Sequence, residues 1–174
     1  MNLMQLIKSD YLACNSISRT FFLIVSYRIA RYLFLKRNFF VYNVIFKVYR
    51  LFYRAFINVI CSFDIDYKSD IGPGLVVYHG LCIVIGSNVK IGKNARIRHC
   101  TTIGNKGNQD QSSPIIGDFV NIGSNSVIIG NIRIGNNVTI GAGSVVLNDV
   151  NDNMTVAGNP AKLIKTVTVH GLAK

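Results

Sequence analysis

From Ile65 onward, the aliphatic residues of this chain recur every six positions. The blocks read IGSNVK, IGKNAR and IRHCTT from residue 85, and IGDFVN, IGSNSV, IIGNIR, IGNNVT and IGAGSV from residue 116. A helix would repeat its apolar residues three and four positions apart, and a strand two apart. A period of six instead fits one flat side of a three-sided coil, with Gly or Asn at the corners. The pattern predicts a mainly β fold, a parallel β-helix of hexapeptide repeats; a glycine-rich β-sandwich would not keep one register for so many blocks.

The first 63 residues follow a different pattern, with apolar positions at helical spacing. We predict a short α-helical region with helices over residues 17–37 and 39–62 and a bend at residues 36–38. Nine of the 19 Lys and Arg residues of the chain lie here against one acid, Asp10, which leaves this region with eight of the eleven net positive charges. The helical region is therefore strongly basic.

Two roles fit a basic, aromatic, amphipathic helical region, and they are compatible. It can cap the open end of the coil and supply contacts between subunits, or it can lie in an anionic membrane surface. Arg28 and Arg31 interrupt the apolar stretch, so it is too short to span a bilayer. Nucleic-acid binding is not expected, because no recognised motif accompanies the charge.

The chain divides into a basic helical region at residues 1–63, a β-helix at 64–165 and a tail at 166–174. Residues 104–114, GNKGNQDQSSP, lack inward-facing aliphatic residues. An insertion between regular turns must project as a loop, and such loops commonly carry ligand contacts. The four cysteines have neither metal-ligand nor disulfide spacing, so we expect no bound metal. Together with the absence of a secretory leader, this predicts a cytoplasmic protein. Peripheral contact with the inner face of the cytoplasmic membrane is a further option.

His79 is the first candidate for catalysis among the three histidines. The repeat register slips by two residues between Ile71 and Ile85, which predicts a local bulge, and bulges are common beside active sites. We expect His99, in a corner or outward position, and His170, in the tail, to be solvated. The chain has no nucleophile elbow, phosphate loop or dinucleotide fingerprint, so the expected chemistry is general-base catalysis by His79. The carboxylate that orients it would come from Asp64, Asp66 or Asp70.

Residues 63–165 also carry a resemblance to a known family. The run DIDYKSDIGPGLVVYHG, then IVIGSNVKIG, TTIG, the loop, the later repeats and a closing AGNPAK resemble the serine acetyltransferase-like branch of the hexapeptide-repeat acyltransferases. The resemblance implies a left-handed parallel β-helix, an exception to the usual right-handed crossover. It also implies a homotrimer with acetyl-CoA in the groove between neighbouring coils.

The resemblance carries over to individual positions. His79 matches the catalytic base and Asp64 the carboxylate that fixes its tautomer. Backbone N–H groups near Gly104 and Asn105 would contact the thioester and stabilise the oxyanion. The remaining cofactor positions are Ser124, Ala142, Ala157 and Gly158 along the pantetheine arm, and Lys162 and Lys165 at the nucleotide phosphates. The candidates for contact with the acceptor are Tyr78, Lys106 and Asp110.

Two departures from the family bear on the acceptor. Serine-specific members place an Asp directly before the catalytic His, where this chain has Tyr78, and an Arg-His pair where it has Ser112 and Ser113. Those groups read the charged ends of serine, so their absence argues against an amino-acid acceptor. We therefore predict an O-acetyltransferase for a sugar hydroxyl of a surface polysaccharide (capsule, exopolysaccharide or O-antigen) or of its precursor, a glycan or lipid-linked sugar. The alternatives are serine O-acetylation and a non-catalytic, membrane-associated β-helix scaffold.

Overall fold

A computed structural model describes residues 1–107 and 112–166 of the chain. Helix α1 spans Leu3–Cys14, α2 spans Arg19–Lys36, and α3 spans Phe40–Phe52 and continues as a π-helical segment, Tyr53–Ile60. The two predicted helices are confirmed, but α1 was not predicted. Its start carries a recognisable signal, because Asn2 and Gln5 form a reciprocal capping box.

Fifteen short strands follow within the described residues. In chain order, β1 to β15 are Phe63–Ile65, Asp70–Ile71, Val76–Tyr78, Ile83–Ile85, Lys90–Ile91, Arg96–Arg98, Thr102–Gly104, Ile115–Ile116, Asn121–Ile122, Val127–Ile129, Arg133–Ile134, Thr139–Ile140, Val145–Val146, Met154–Ala157 and Lys162–Thr166.

These strands form the three faces of a prism. The five-stranded face has the order β1-β4-β7-β10-β13, the four-stranded face β11-β8-β5-β2, and the six-stranded face β15-β14-β12-β9-β6-β3. Every pairing is parallel except that of β15 with β14. The predicted parallel β-helix is therefore confirmed.

The coil keeps one register because each turn places an aliphatic residue over the one before it. Ile85 pairs with Ile103, eighteen residues along the chain, and Ile103 with Ile128 on the next turn. These side chains point inward and are fully buried. At Gly92 the neighbouring turn is so close that a Cβ would lie 2.7 Å from the Gly117 carbonyl carbon. Only glycine allows that approach.

A buried ion pair joins the helices to the first turn of the coil. The Arg28 guanidinium contacts the Asp10 carboxylate at 2.8 Å and donates to the carbonyls of Ile71 and Gly72 at 2.5 and 2.7 Å. The other Asp10 oxygen accepts from the Leu75 N–H at 2.9 Å. Because every partner is hydrogen-bonded, the pair tolerates its burial.

Asp10→Ala should destabilise the protein by about 3–5 kcal/mol, because it leaves the Arg28 charge buried without a counter-ion. Urea unfolding followed by circular dichroism, at fixed protein concentration, measures the change. The control is Lys93→Ala, which removes an exposed pair with Asp118 at 3.6 Å and should cost at most about 1 kcal/mol. Equal losses in the two variants would contradict the role given to Asp10.

Candidate functional site

The corner between β3 and β4 is two residues longer than the corner above it. Ile65 pairs with Ile85, twenty residues on, whereas the next turn takes eighteen. His79 lies in this corner with φ 68°, in the left-handed region that residues other than glycine seldom adopt. The unusual backbone turns the ring outward, and the His79 side chain is exposed. The bulge expected from the register slip is present.

The ring of His99 lies against that of His79, although the sequence suggested only a solvated residue. The two centroids are 5.6 Å apart and the ring planes meet at 77°, an edge-to-face contact. The Nδ1 atom of His99 is buried and has no hydrogen-bond partner among the described residues. A buried polar atom without a partner needs an explanation, and a ligand site is one. The two rings meet because β3 pairs with β6 on the next turn, and the spacing of residues in the sequence did not predict that pairing.

Tyr78 precedes His79 and is covered by a cation. The Arg98 guanidinium carbon lies 5.3 Å from the centre of the Tyr78 ring, and Arg98 Nη1 donates to Asn121 Oδ1 at 2.9 Å. Strands β3 and β6 hold Tyr78 directly beside Arg98. The residue directly before His79 is thus an aromatic ring with a positive charge above it.

Asp64 lies on β1 and is engaged by the helical region. Asn58 Nδ2 donates to Asp64 Oδ1 at 2.7 Å, and both residues line a cavity of ≈ 320 Å³. Burial raises the pKa of the Asp64 carboxyl, the Asp66 carboxylate raises it further, and the Arg54 guanidinium opposes both. Within the described chain, no hydrogen bond joins Asp64 to His79. The orienting role of Asp64 stays a prediction.

The small residues matched to the cofactor groove stack on successive turns. The Gly143 N–H donates to the Ser124 carbonyl at 2.8 Å, which places Ala142 one turn above Ser124. A Cβ on Gly141 would lie 2.7 Å from the Ala157 Cβ, and Gly158 follows with φ 106°. The structure therefore brings these four together: Ser124, Ala142, Ala157 and Gly158.

This column of small residues continues the edge on which His79 lies. We call it the histidine edge; it consists of the corners after β3, β6, β9 and β12, where the chain passes from the six-stranded to the five-stranded face, and of the turn after β14. The Val145 N–H donates to the Gly158 carbonyl, which stacks that turn on the corner after β12. The Asn125 N–H donates to the His99 carbonyl at 3.1 Å, which links the histidines to the column. Four steps of about 4.8 Å make this edge roughly 19 Å long. Its upper turns carry small residues.

Lys162 and Lys165 lie at the far end of the track. Strand β15 folds back along β14, so that Lys162 stands opposite Ala157 and Lys165 opposite Thr155. Both lysine side chains are exposed. They are available to an anion held at that end.

Gly104 and Asn105 lie elsewhere, at the end of β7. We call this the loop edge, the edge between the five-stranded and four-stranded faces from which residues 104–114 depart. Gly104 and Asn105 line a cavity of ≈ 250 Å³, and a Cβ on Gly104 would meet nothing within 4 Å. Lys106 is exposed, and Asp110 lies outside the described residues. One chain therefore does not bring the predicted thioester contacts to His79.

Comparison with known proteins shows which proteins this chain resembles. The bacterial transferase hexapeptide family (six repeats) matches residues 113–148. A protein of Escherichia coli K12 named "Putative colanic acid biosynthesis acetyltransferase WcaB" is 38% identical over 142 residues, covering 81% of this chain and 88% of that protein. The serine acetyltransferase of Buchnera aphidicola (Schizaphis graminum) is 36% identical over 146 residues, which cover 82% of this chain but about half, 52%, of that enzyme.

Solved structures of serine acetyltransferases are also similar. The soybean apoenzyme has a TM-score of 0.81 at 30% identity, covering 93% of this chain and 69% of that one. A serine acetyltransferase in complex with CoA has a TM-score of 0.80 at 29% identity, with the same coverage. These neighbours are left-handed β-helices, which confirms the expected hand of the coil.

His99→Ala should lower kcat for acetyl transfer by about tenfold or more, because a displacement of about 1 Å in a catalytic group can cost 10²-fold in rate. The KM for acetyl-CoA should stay within about twofold if His79 is the base that the resemblance implies, since His99 contacts the His79 ring. His99→Gln, which keeps a planar polar side chain, should recover part of kcat. Steady-state kinetics separates these cases, and an unchanged kcat in His99→Ala would contradict the role.

Proposed function

Because this chain belongs to the hexapeptide-repeat acetyltransferases, we propose that it transfers an acetyl group from acetyl-CoA to a sugar hydroxyl of a surface polysaccharide or its precursor. The observation that supports a sugar acceptor is the Tyr78 ring beneath the Arg98 guanidinium, next to His79. The serine ammonium would require a carboxylate at the position before His79, where this chain has the phenol of Tyr78. A phenol ring offers an apolar face and a hydroxyl, which suit a sugar.

The charge of Arg98 favours an acidic sugar. Arg98 uses one N–H group on Asn121, and its other donors make no hydrogen bond within the described residues. A guanidinium with free donors pairs well with a carboxylate. Similarity to WcaB, whose name assigns it to colanic acid biosynthesis, supports a polysaccharide acceptor.

In the proposed mechanism, His79 acts as the general base. Its imidazole takes the proton of the acceptor hydroxyl while that oxygen attacks the thioester carbonyl. When the tetrahedral intermediate collapses, the C–S bond breaks and the imidazolium returns the proton to the CoA sulfur. His99 supports the His79 ring by edge-to-face contact, and Asp64 would stabilise the imidazolium.

Acetyl-CoA fits the histidine edge as a co-substrate. The stacked small residues would let a pantetheine arm approach the backbone closely, and Gly158, at φ 106°, adds no side chain there. Lys162 and Lys165 would meet the phosphates beyond it. The similar serine acetyltransferase solved with CoA supports this choice of co-substrate.

A homotrimer would complete the site. Gly104 and Asn105 lie on the loop edge, away from His79 of the same chain. If three prisms pack side by side, the histidine edge of one chain meets the loop edge of the next. The oxyanion contacts and the base would then come from two chains.

Serine O-acetylation is the second candidate, supported by the similar serine acetyltransferases. Ser113 does not replace a serine-reading group, because its side chain is buried and its hydroxyl donates to the Ser87 carbonyl at 2.9 Å. This contact argues against serine as the acceptor.

The purified protein should release CoA from acetyl-CoA in the presence of acidic oligosaccharides or nucleotide sugars, and not with free serine. A thiol reagent detects the CoA, and mass spectrometry locates the acetyl group. His79→Ala should lower this rate by about 10² or more through loss of the base. Preference for serine would overturn the acceptor assignment, and full activity in His79→Ala would overturn the role of His79 as the base. Absence of CoA release with every acceptor would support the scaffold alternative.

Light scattering should give a mass three times the 19.3 kDa of one chain. His79→Ala and Gly104→Trp should each be inactive alone, but refolding them together should restore about a quarter of wild-type activity, because intact edges from two chains then meet in one interface in four. A Cβ at position 104 meets no atom of its own chain within 4 Å, so Gly104→Trp should not disturb the fold of one chain. No recovery after refolding the two together would contradict a site shared between chains.

A further inference from the structure

The outer surface of α3 and the π-helical segment is apolar although it faces away from the protein. Phe46, Tyr53 and Ile57 point inward and are at most 5% exposed. On the outward side lies what we call the outer stripe, formed by Phe40, Val41, Val44, Val48, Leu51 and Val59. Phe40 is 81% exposed, Leu51 is 74% and Val48 is 70%. A continuous stripe of this kind is more than scattered surface hydrophobicity and marks an interaction surface.

Basic residues border this stripe. Lys47, Arg50 and Arg54 recur at helical spacing along one side of it, between the stripe and the buried face. All three side chains are exposed. The helix therefore has an apolar outer face with a cationic margin, which is the arrangement of helices that lie in a bilayer interface.

No acid in the helical region offsets this charge. Asp10 is the one acid among residues 1–63, and it is fully buried against Arg28. The exposed surface of the region thus carries cations and no side-chain carboxylate. None of the helices in the described ranges has the length and apolarity to cross a bilayer.

We propose that the outer stripe docks onto an anionic phospholipid surface, with α3 lying parallel to the membrane. The apolar residues would enter the boundary between headgroups and acyl chains, and the basic margin would contact lipid phosphates. A second copy of the chain is a poorer occupant, because a symmetric contact would set Lys47, Arg50 and Arg54 against the same cations. The inference stands on the helical region alone and does not depend on the acceptor.

Vesicle flotation tests the proposal with the full-length protein. At low salt, the protein should rise with vesicles of phosphatidylglycerol and phosphatidylethanolamine and stay at the bottom with phosphatidylcholine alone. Val48→Asp combined with Leu51→Asp should lower the partition coefficient at least tenfold, an order-of-magnitude estimate for two charges placed in the interface. Lys47→Gln and Arg50→Gln should lower it roughly fivefold each. Binding should weaken with salt as the Debye length falls from about 10 Å at 0.1 M to about 3 Å at 1 M.

The matched control is Phe119→Asp, which charges an exposed aromatic residue of the coil at φ 58°, where Asp is tolerated. This variant should float as the wild type does. Circular dichroism and the melting temperature of the double variant should match the wild type, since Val48 and Leu51 make little contact with the core. Transfer to a soluble acceptor should also persist in the double variant, which separates this test from that of the enzymatic function.

Two results would overturn the proposal. One is a wild-type protein that ignores anionic vesicles, and the other is a double variant that floats as well as the wild type. If the protein ignores vesicles and the double variant has a smaller mass in sedimentation, the outer stripe joins copies of the chain instead.

Discussion

The stacking of one turn on the next constrains every other feature of this protein. A side chain can stay inside the prism only if each turn returns to the same register, which here takes eighteen residues where the repeat is regular. The chain exceeds that length at the corner of His79 and at residues 104–114. Neither departure contributes an aliphatic residue to the core. Both are therefore free of the packing constraint and are available for chemistry.

The two departures differ in what they do to the backbone. At residues 79–82 the extra length is absorbed in a tight corner, with His79 and Gly80 both at positive φ. Such a corner fixes the direction of one side chain. The longer insertion lies between Gly104, at the end of β7, and Ile115, at the start of β8.

How much the sequence predicted depended on whether the signal was local. The coil, the bulge at His79 and the departure point of the loop follow from a period of six, because stacking converts a linear repeat directly into space. The contact of His99 with His79 and the cover of Arg98 over Tyr78 depend on which residues pair across turns, which the two-residue slip alters. Helix α1 escaped detection because it is short and depends on Asp10, a polar residue, for its attachment to the coil.

Charge is divided between the two parts of the chain by burial. Asp10, the one acid of the helical region, is buried in its ion pair with Arg28, and this pair also joins the helices to the coil. The exposed surface of the helical region is therefore cationic. That attachment also brings Asn58 to Asp64 and Arg54 near the same carboxylate, so the helical region influences the electrostatics of the candidate site. A helical region docked on a membrane would thus hold the first turn of the coil, which bears His79, close to the lipid surface. An acceptor that is both acidic and tethered to lipid would meet the basic surface and the base in one orientation, which would reduce the entropy lost in bringing its hydroxyl to the imidazole.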